Sequence, residues 1–203
     1  MINGAHSILG STNPGVLLRD GSRALITHAD ESDAAPLLLH IEHVAGETSY
    51  LSFGRGQFGV GVAEQVAFLR ALGRTGSGVM LKAVIDRRIV GVASLKWSTR
   101  PRVRHVAEFG VSVLRQHGGV GLGRALTERA MREAHSHAVT RVELKVRDDN
   151  HRAIGLYRSL GFVIEGRLRR AFRYEGRFYD ELLMARLLDD PPSDQGGAPL
   201  GPP

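Results

Sequence analysis

The densest group of residues able to do chemistry lies at 118–124. Gly118, Gly119, Gly121 and Gly123 form a cluster there. Ahead of it, Val106, Phe109, Val111 and Val113 are apolar and β-favouring, which predicts a strand. Behind it, Leu122, Leu126, Ala130 and Ala134 stand about one turn apart, which predicts a helix to about Ser136. A strand, a glycine turn and a helix start together leave backbone N–H groups unpaired and converging, with the positive end of the helix dipole behind them. Such a place suits phosphate or pyrophosphate. The dinucleotide pattern G-x-G-x-x-G fails in each register: from Gly119 the third glycine falls on Arg124, and from Gly121 on Leu126. A Walker-type loop nearly fits Gly118 to Gly123, but Arg124 and Ala125 stand where the lysine and the magnesium-binding hydroxyl belong. Two readings stay open: a loop that holds pyrophosphate by its backbone without a metal, or a plain surface turn.

Glu108 lies in the strand before the loop, with Phe109 facing the other way. It reads either as a base in a partly desolvated place or as an edge charge paired with Arg104 or Arg115. Asn150 follows a predicted strand and reads as a helix N-cap. Tyr157 shares an apolar face with Ile154 and Leu160, which on pattern alone makes it a core tyrosine. The stretch from Gly46 to Gly61 holds Glu47, Tyr50, Phe53 and Phe58; it is either a lid or substrate wall, or a plug for the edge of the core. His135 and His137 are two apart and do not share a helix face, so a metal pair is not expected there.

Elements must position these groups, and 203 residues allow one domain with a proper core. Residues 1–15 read as a flexible leader, 16–188 as a single domain, and 189–203, rich in Pro and Gly, as a disordered tail. Short strands are expected at Val16–Leu18 and Ala24–Thr27. Asp30 caps a helix carrying Leu37, Leu38, Ile41 and Val44. A second helix runs from Val62 to Leu72 with Ala63, Val66 and Leu69 inward, and Gly73 to Gly78 is a linker turn. Val79–Ile85 and Ile89–Trp97 form a hairpin around Asp86-Arg87-Arg88. Arg141–Val146 alternates as a strand, and a short helix through Tyr157 ends at Gly161. Strands at Phe162–Ile164 and Phe178–Leu188 close the chain. The order predicts an α/β domain: a mixed, mainly antiparallel central sheet flanked by helices. The strand ending at Val113 and the strand at Val142 would be parallel neighbours with a crevice between them.

The chain has no cysteine, which removes disulfides, thiolate metal sites and cysteine nucleophiles. Its net charge is +6, carried by arginine apart from Lys82, Lys96 and Lys145. That bias fits an anionic ligand, or only a GC-rich genome. Aromatics make up 6% with no basic–aromatic repeat, so nucleic acid is not expected as a partner. No apolar run reaches transmembrane length, and no secretory leader pattern is visible; a cytoplasmic protein with no membrane partner is the expectation.

The run Gly119-Val-Gly-Leu-Gly-Arg-Ala-Leu126, then Val142-Glu-Leu-Lys-Val146, Asn150, and Ala153-Ile-Gly-Leu-Tyr157-Arg-Ser-Leu-Gly-Phe162 resembles the GCN5-related N-acetyltransferase (GNAT) superfamily, over roughly Leu25 to Leu188. Glu165-Gly-Arg and Tyr174-Glu-Gly-Arg-Phe-Tyr-Asp180 look like the branch with small-molecule or protein-amine acceptors. The resemblance implies acetyl-CoA as co-substrate, no metal, and a V-shaped opening of the sheet between two central parallel strands. The pantetheine arm would pair with Val111, Ser112 and Val113. The pyrophosphate would rest on backbone N–H groups of Gly118, Gly119, Val120, Gly121, Leu122, Gly123 and Arg124. Asn150 and Tyr157 would touch the cofactor, and Tyr157 would be the acid for the departing thiolate. Glu47, Tyr50 and Tyr174 would wall the acceptor, and a homodimer is compatible with the superfamily. The family usually carries Arg or Gln at the position of Gly118, so a side-chain contact to the donor is lost or displaced. An alkylammonium acceptor has a pKa near ~10 and must lose a proton, which gives Glu108 its role as base. The rival readings are a catalytically weak CoA or acyl-CoA sensor of the same fold and a nucleoside-triphosphate enzyme.

Overall fold

The computed structural model describes residues 15–188. The expected leader, apart from Gly15, and the expected tail lie outside the described residues. The elements are β1 (Val16–Leu17), β2 (Arg23–His28), α1 (Ala34–Glu47), α2 (Val62–Thr75), β3 (Gly78–Ile85), β4 (Arg88–Trp97), β5 (Val106–Val113), α3 (Leu122–Ser136), β6 (Arg141–Arg147), α4 (His151–Ser159), β7 (Val163–Tyr174) and β8 (Arg177–Leu187). They build one sheet in the order β1-β2-β3-β4-β5-β6-β8-β7. Every pairing is antiparallel except β5 with β6. No helix among the described residues is long and apolar enough to cross a membrane.

Strand alternation sorts the helices onto two faces. On β4, Val92 packs with Leu37 of α1 and Leu69 of α2. Its neighbour Ala93 belongs instead to the larger core, with Leu122, Leu126, Ala130 and Ala134 of α3. Those four α3 positions are buried, as their one-turn spacing requires, and full burial of each leucine stabilises by roughly 1.5–3 kcal/mol. The same alternation continues on β5. Ser112 meets His40 of α1, while Phe109 meets Tyr157 of α4 edge-on, with ring centroids 6.4 Å apart.

The functional feature of the sheet is its one parallel joint. β5 and β6 pair only at Val106 with Arg141, Ala107 with Val142 and Glu108 with Glu143. Beyond Glu108 the strands part, and β6 stays with β8 as far as Arg147. Residues 109–113 therefore keep β4 on one side and present a free backbone edge to the gap on the other.

Several expectations need correction. Asp30 caps a short 3-10 turn, Glu31–Asp33, and α1 starts after it at Ala34. Helix α2 runs through Gly73 to Thr75, because the left-handed cap that stops it is Gly76. Ala63 is exposed, and Gln65 is buried on that helix instead. The strand expected at Phe162–Ile164 is instead the long β7, Val163–Tyr174, which forms a hairpin with β8 turning at Glu175-Gly176. β7 is exposed along nearly its whole length, so no alternation between inside and outside marks it in the sequence.

Candidate functional site

A cleft of about 2360 Å³ runs from the glycine loop along the free edge of β5 to the loop between α1 and α2. Val111, Ser112, Val113, Gly118, Gly119, Gly121, Gly123, Arg124, Asn150 and Tyr157 all line it, as do Glu47, Tyr50, Glu108 and Tyr174. Of the residues the resemblance assigned to donor, acceptor or catalysis, Val120 and Leu122 do not. Leu122 is fully buried as the first apolar residue of α3, and Val120 packs on the core while its carbonyl accepts from Arg19 N–H.

The loop delivers its donors where the sequence placed them, with one exception. Gly118 N–H already bonds Arg115 O at 3.0 Å and is not available. Gly119, Val120 and Gly121 have no backbone partner for their N–H groups among the described residues. The N–H groups of Leu122, Gly123 and Arg124 are free because a helix start has no carbonyl to give them. Gly121, just before α3, sits at φ 100°, a left-handed conformation that favours glycine. The Arg124 side chain is turned aside, donating to Ser159 Oγ at 2.7 Å. The turn ahead of the loop is held from α1: Glu47 carboxylate accepts from Arg115 N–H at 2.7 Å, and Glu47 O accepts from its guanidinium. Glu47 thus spends its carboxylate on the loop rather than facing the cleft unpaired.

Tyr157 lies in the floor of the gap, 8% exposed, packed on Phe109 and Phe162. Burial pushes its phenol up to about 12, so it stays protonated at neutral pH. Asn150 caps α4, its Oδ1 accepting from Ala153 N–H at 3.2 Å, which leaves its amide NH₂ free to donate. Glu108 is exposed on the α1 side of β5, opposite Lys96 of β4. It is not withdrawn from water as expected, because α1 and the α1–α2 loop leave it uncovered. No arginine, neither Arg104 nor Arg115, lies within ion-pair distance of it among the described residues. Tyr50 reaches Asp149 O at 3.5 Å. Tyr174 is exposed near the hairpin turn, and a hydrogen bond with Glu175 raises its phenol.

Sequence reasoning missed Arg147. It is 5% exposed, the last residue of β6. Its guanidinium bonds Asp149 through two nitrogens at 3.0 and 2.6 Å and Ser49 O at 2.8 Å. Three rings surround it: Tyr179 at 3.8 Å, Tyr50 at 4.7 Å and Phe172 at 5.0 Å. One cation thus ties the α1–α2 loop to β6, β7 and β8 and fixes that wall of the cleft. Farther along the same loop, Gly56 N–H donates to Glu42 of α1 at 2.9 and 3.0 Å, and the tilted rings of Phe53 and Phe58 lie with centroids 4.9 Å apart.

His40 was also missed. It is buried in α1, sharing a 2.9 Å hydrogen bond between Nε2 and Ser112 Oγ. Burial pushes it down to about 4. The folded state therefore holds it neutral, while the unfolded chain takes up a proton below about 6.5. Its contribution is complete above that pH and is lost as pH falls through the folded value. Denaturant titrations should show roughly 2–4 kcal/mol of wild-type stability lost across that window, and a flatter curve for His40→Gln. Equal slopes for the two proteins would remove His40 as the cause.

Comparison with known proteins gives a consistent result. The family model described as Acetyltransferase (GNAT) family matches residues 38–162. The L-amino acid N-acetyltransferase AaaT of Escherichia coli (strain K12) is 35% identical over 108 residues, 53% of this chain and 67% of that protein. A crystal structure of a GNAT-family acetyltransferase from Streptococcus pneumoniae superposes with TM-score 0.77 at 30% identity, covering 81% of this chain and 99% of that one. The structure of yncA from Salmonella typhimurium with its cofactor acetyl-CoA gives TM-score 0.73 at 26% identity, over 88% and 98% of the two chains.

Proposed function

The chain belongs to the acetyltransferase (GNAT) family, and from that premise we propose that it moves an acetyl group from acetyl-CoA to the primary amine of a small molecule by direct transfer. The observation that carries this reading is the parted β5–β6 joint, with a free strand edge leading to unpaired N–H groups at the start of α3 and Tyr157 in its floor. The cleft fits such a donor: it is long, lined by the loop at one end and open toward the α1–α2 loop at the other. Acetyl-CoA supplies the activated acetyl group as a thioester.

The rest is done by this chain. Gly119 to Arg124 hold the phosphates through backbone N–H groups. The edge at Val111 to Val113 orients the arm by backbone pairing, and Asn150 adds its free NH₂. Tyr157 holds a proton at Oη and passes it to the sulfur as the carbon–sulfur bond breaks. Glu108, on the acceptor side of the strand, takes the proton that the ammonium must lose, directly or through a water. An acyl-enzyme on cysteine is excluded, since the chain has none. The acceptor enters between the α1–α2 loop and the β7–β8 hairpin, with Tyr50 and Tyr174 on its walls. α-Amino acids lead the panel of candidate acceptors because AaaT is an L-amino acid N-acetyltransferase; polyamines and peptide N-termini complete it.

The test follows free thiol on mixing acetyl-CoA with that panel, using wild type and Glu108→Gln side by side. Amine-dependent thiol release is expected, with kcat/KM lower in the variant by roughly the 10²–10⁴ of a positioned base and with its melting temperature unchanged. No release with any amine would overturn the reading; equal kcat/KM in the two proteins would remove Glu108 from the mechanism.

A further inference from the structure

The resemblance puts an Arg or Gln at the position of Gly118, and the structure shows what fills that space. A Cβ built on Gly118 would lie 2.8 Å from Nη2 and 3.2 Å from Nη1 of Arg152 and 3.0 Å from the Arg115 carbonyl oxygen, and one on Gly119 would lie 3.7 Å from Nη2. The Arg152 guanidinium therefore rests over the loop backbone at 118–119, at the end of the cleft where the free N–H groups converge. Among the described residues it has no ion pair and no side-chain hydrogen bond.

A second, independent observation concerns α4. Arg152 is the second residue of that helix, and its first turn contains no carboxylate. A cation there faces the positive end of the helix dipole, which disfavours it. Asp148 and Asp149 precede the N-cap, but Arg167 holds the first and Arg147 the second, which leaves Arg152 without a carboxylate partner among the described residues. A planar guanidinium is suited to holding phosphate oxygens through two nitrogens at once.

We propose that Arg152 grips the donor's pyrophosphate, and that glycine at 118 leaves room for that guanidinium, where a Cβ would crowd both it and the Arg115 carbonyl. The proposal rests on the acetyl-CoA reading above. It also removes the basis of the sensor alternative, which rested on a donor contact missing at Gly118: the contact is relocated to α4.

The experiment is a calorimetric cycle on the free protein with CoA and with pantetheine, which lacks the phosphates. Arg152→Ala should weaken CoA binding roughly 10- to 100-fold, the range for losing hydrogen bonds to a charged partner. Its pantetheine affinity and its ligand-free melting temperature should match wild type, since the side chain has no protein partner to lose. An Arg152→Ala protein that binds CoA as wild type does, or one that loses pantetheine affinity to the same degree, would overturn the proposal while leaving the donor reading intact. A wild-type protein that does not bind CoA overturns both.

Discussion

Tyr157→Phe should leave a folded protein that binds CoA normally and turns over roughly 10²–10⁴-fold more slowly, the loss typical of removing a positioned general acid. The reasoning starts from burial. Phe109 and Phe162 enclose the ring, so truncating only the hydroxyl preserves the packing that holds α4 against the gap. Withdrawal from water pushes the phenol up to about 12. At neutral pH the proton is thus in place on Oη, held for the sulfur as the carbon–sulfur bond breaks. The N–H groups proposed to hold the phosphates belong to the glycine loop and α3 and not to Tyr157, so CoA affinity should barely move. Steady-state kinetics with the best acceptor, beside a melting curve, decide the matter. An unchanged kcat returns Tyr157 to the core and leaves the thiolate to be protonated by water.

The parts of this architecture that were legible from the residues share one property: their signal is local. The apolar alternation of β5, the four glycines and the one-turn stripe of α3 lie within about thirty consecutive residues, and together they predicted the strand, the loop and the helix that the structure contains. The parallel neighbour β6 followed from the same order of elements. What stayed hidden depends on contacts between distant segments. Tyr50, Phe172 and Tyr179 converge on Arg147 from three separate stretches, and nothing near residue 147 announces them. Arg152 reaches Gly118 across a helix, a strand and two loops, so the sequence showed only the missing side chain and not its replacement. β7 carries arginines on both faces because both are exposed, and a strand without a buried face has no periodicity to read. Glu108 was placed correctly on β5, but its surroundings depend on what α1 and the α1–α2 loop leave uncovered, which is a tertiary fact.

The central claim is that phosphates rest on the backbone at the start of α3, and Gly121 is the place to probe it. The residue sits at φ 100° with nothing within 4 Å of where a Cβ would be. Alanine there adds only conformational strain, of order 1–3 kcal/mol, with no new charge. Aspartate adds the same strain and also sets a carboxylate against the pyrophosphate, where it competes for the very N–H groups that bind it. The direct measurement is calorimetric titration with CoA of wild type, Gly121→Ala and Gly121→Asp, each checked for folding by its melting curve. The expected result is micromolar-class binding by wild type, a modest loss in the alanine variant, and at least a further ~100-fold loss in the aspartate variant, matching about 3 kcal/mol of repulsion and lost hydrogen bonds. Folded Gly121→Asp protein that binds CoA as tightly as Gly121→Ala would contradict the account and move the donor's phosphates away from this loop.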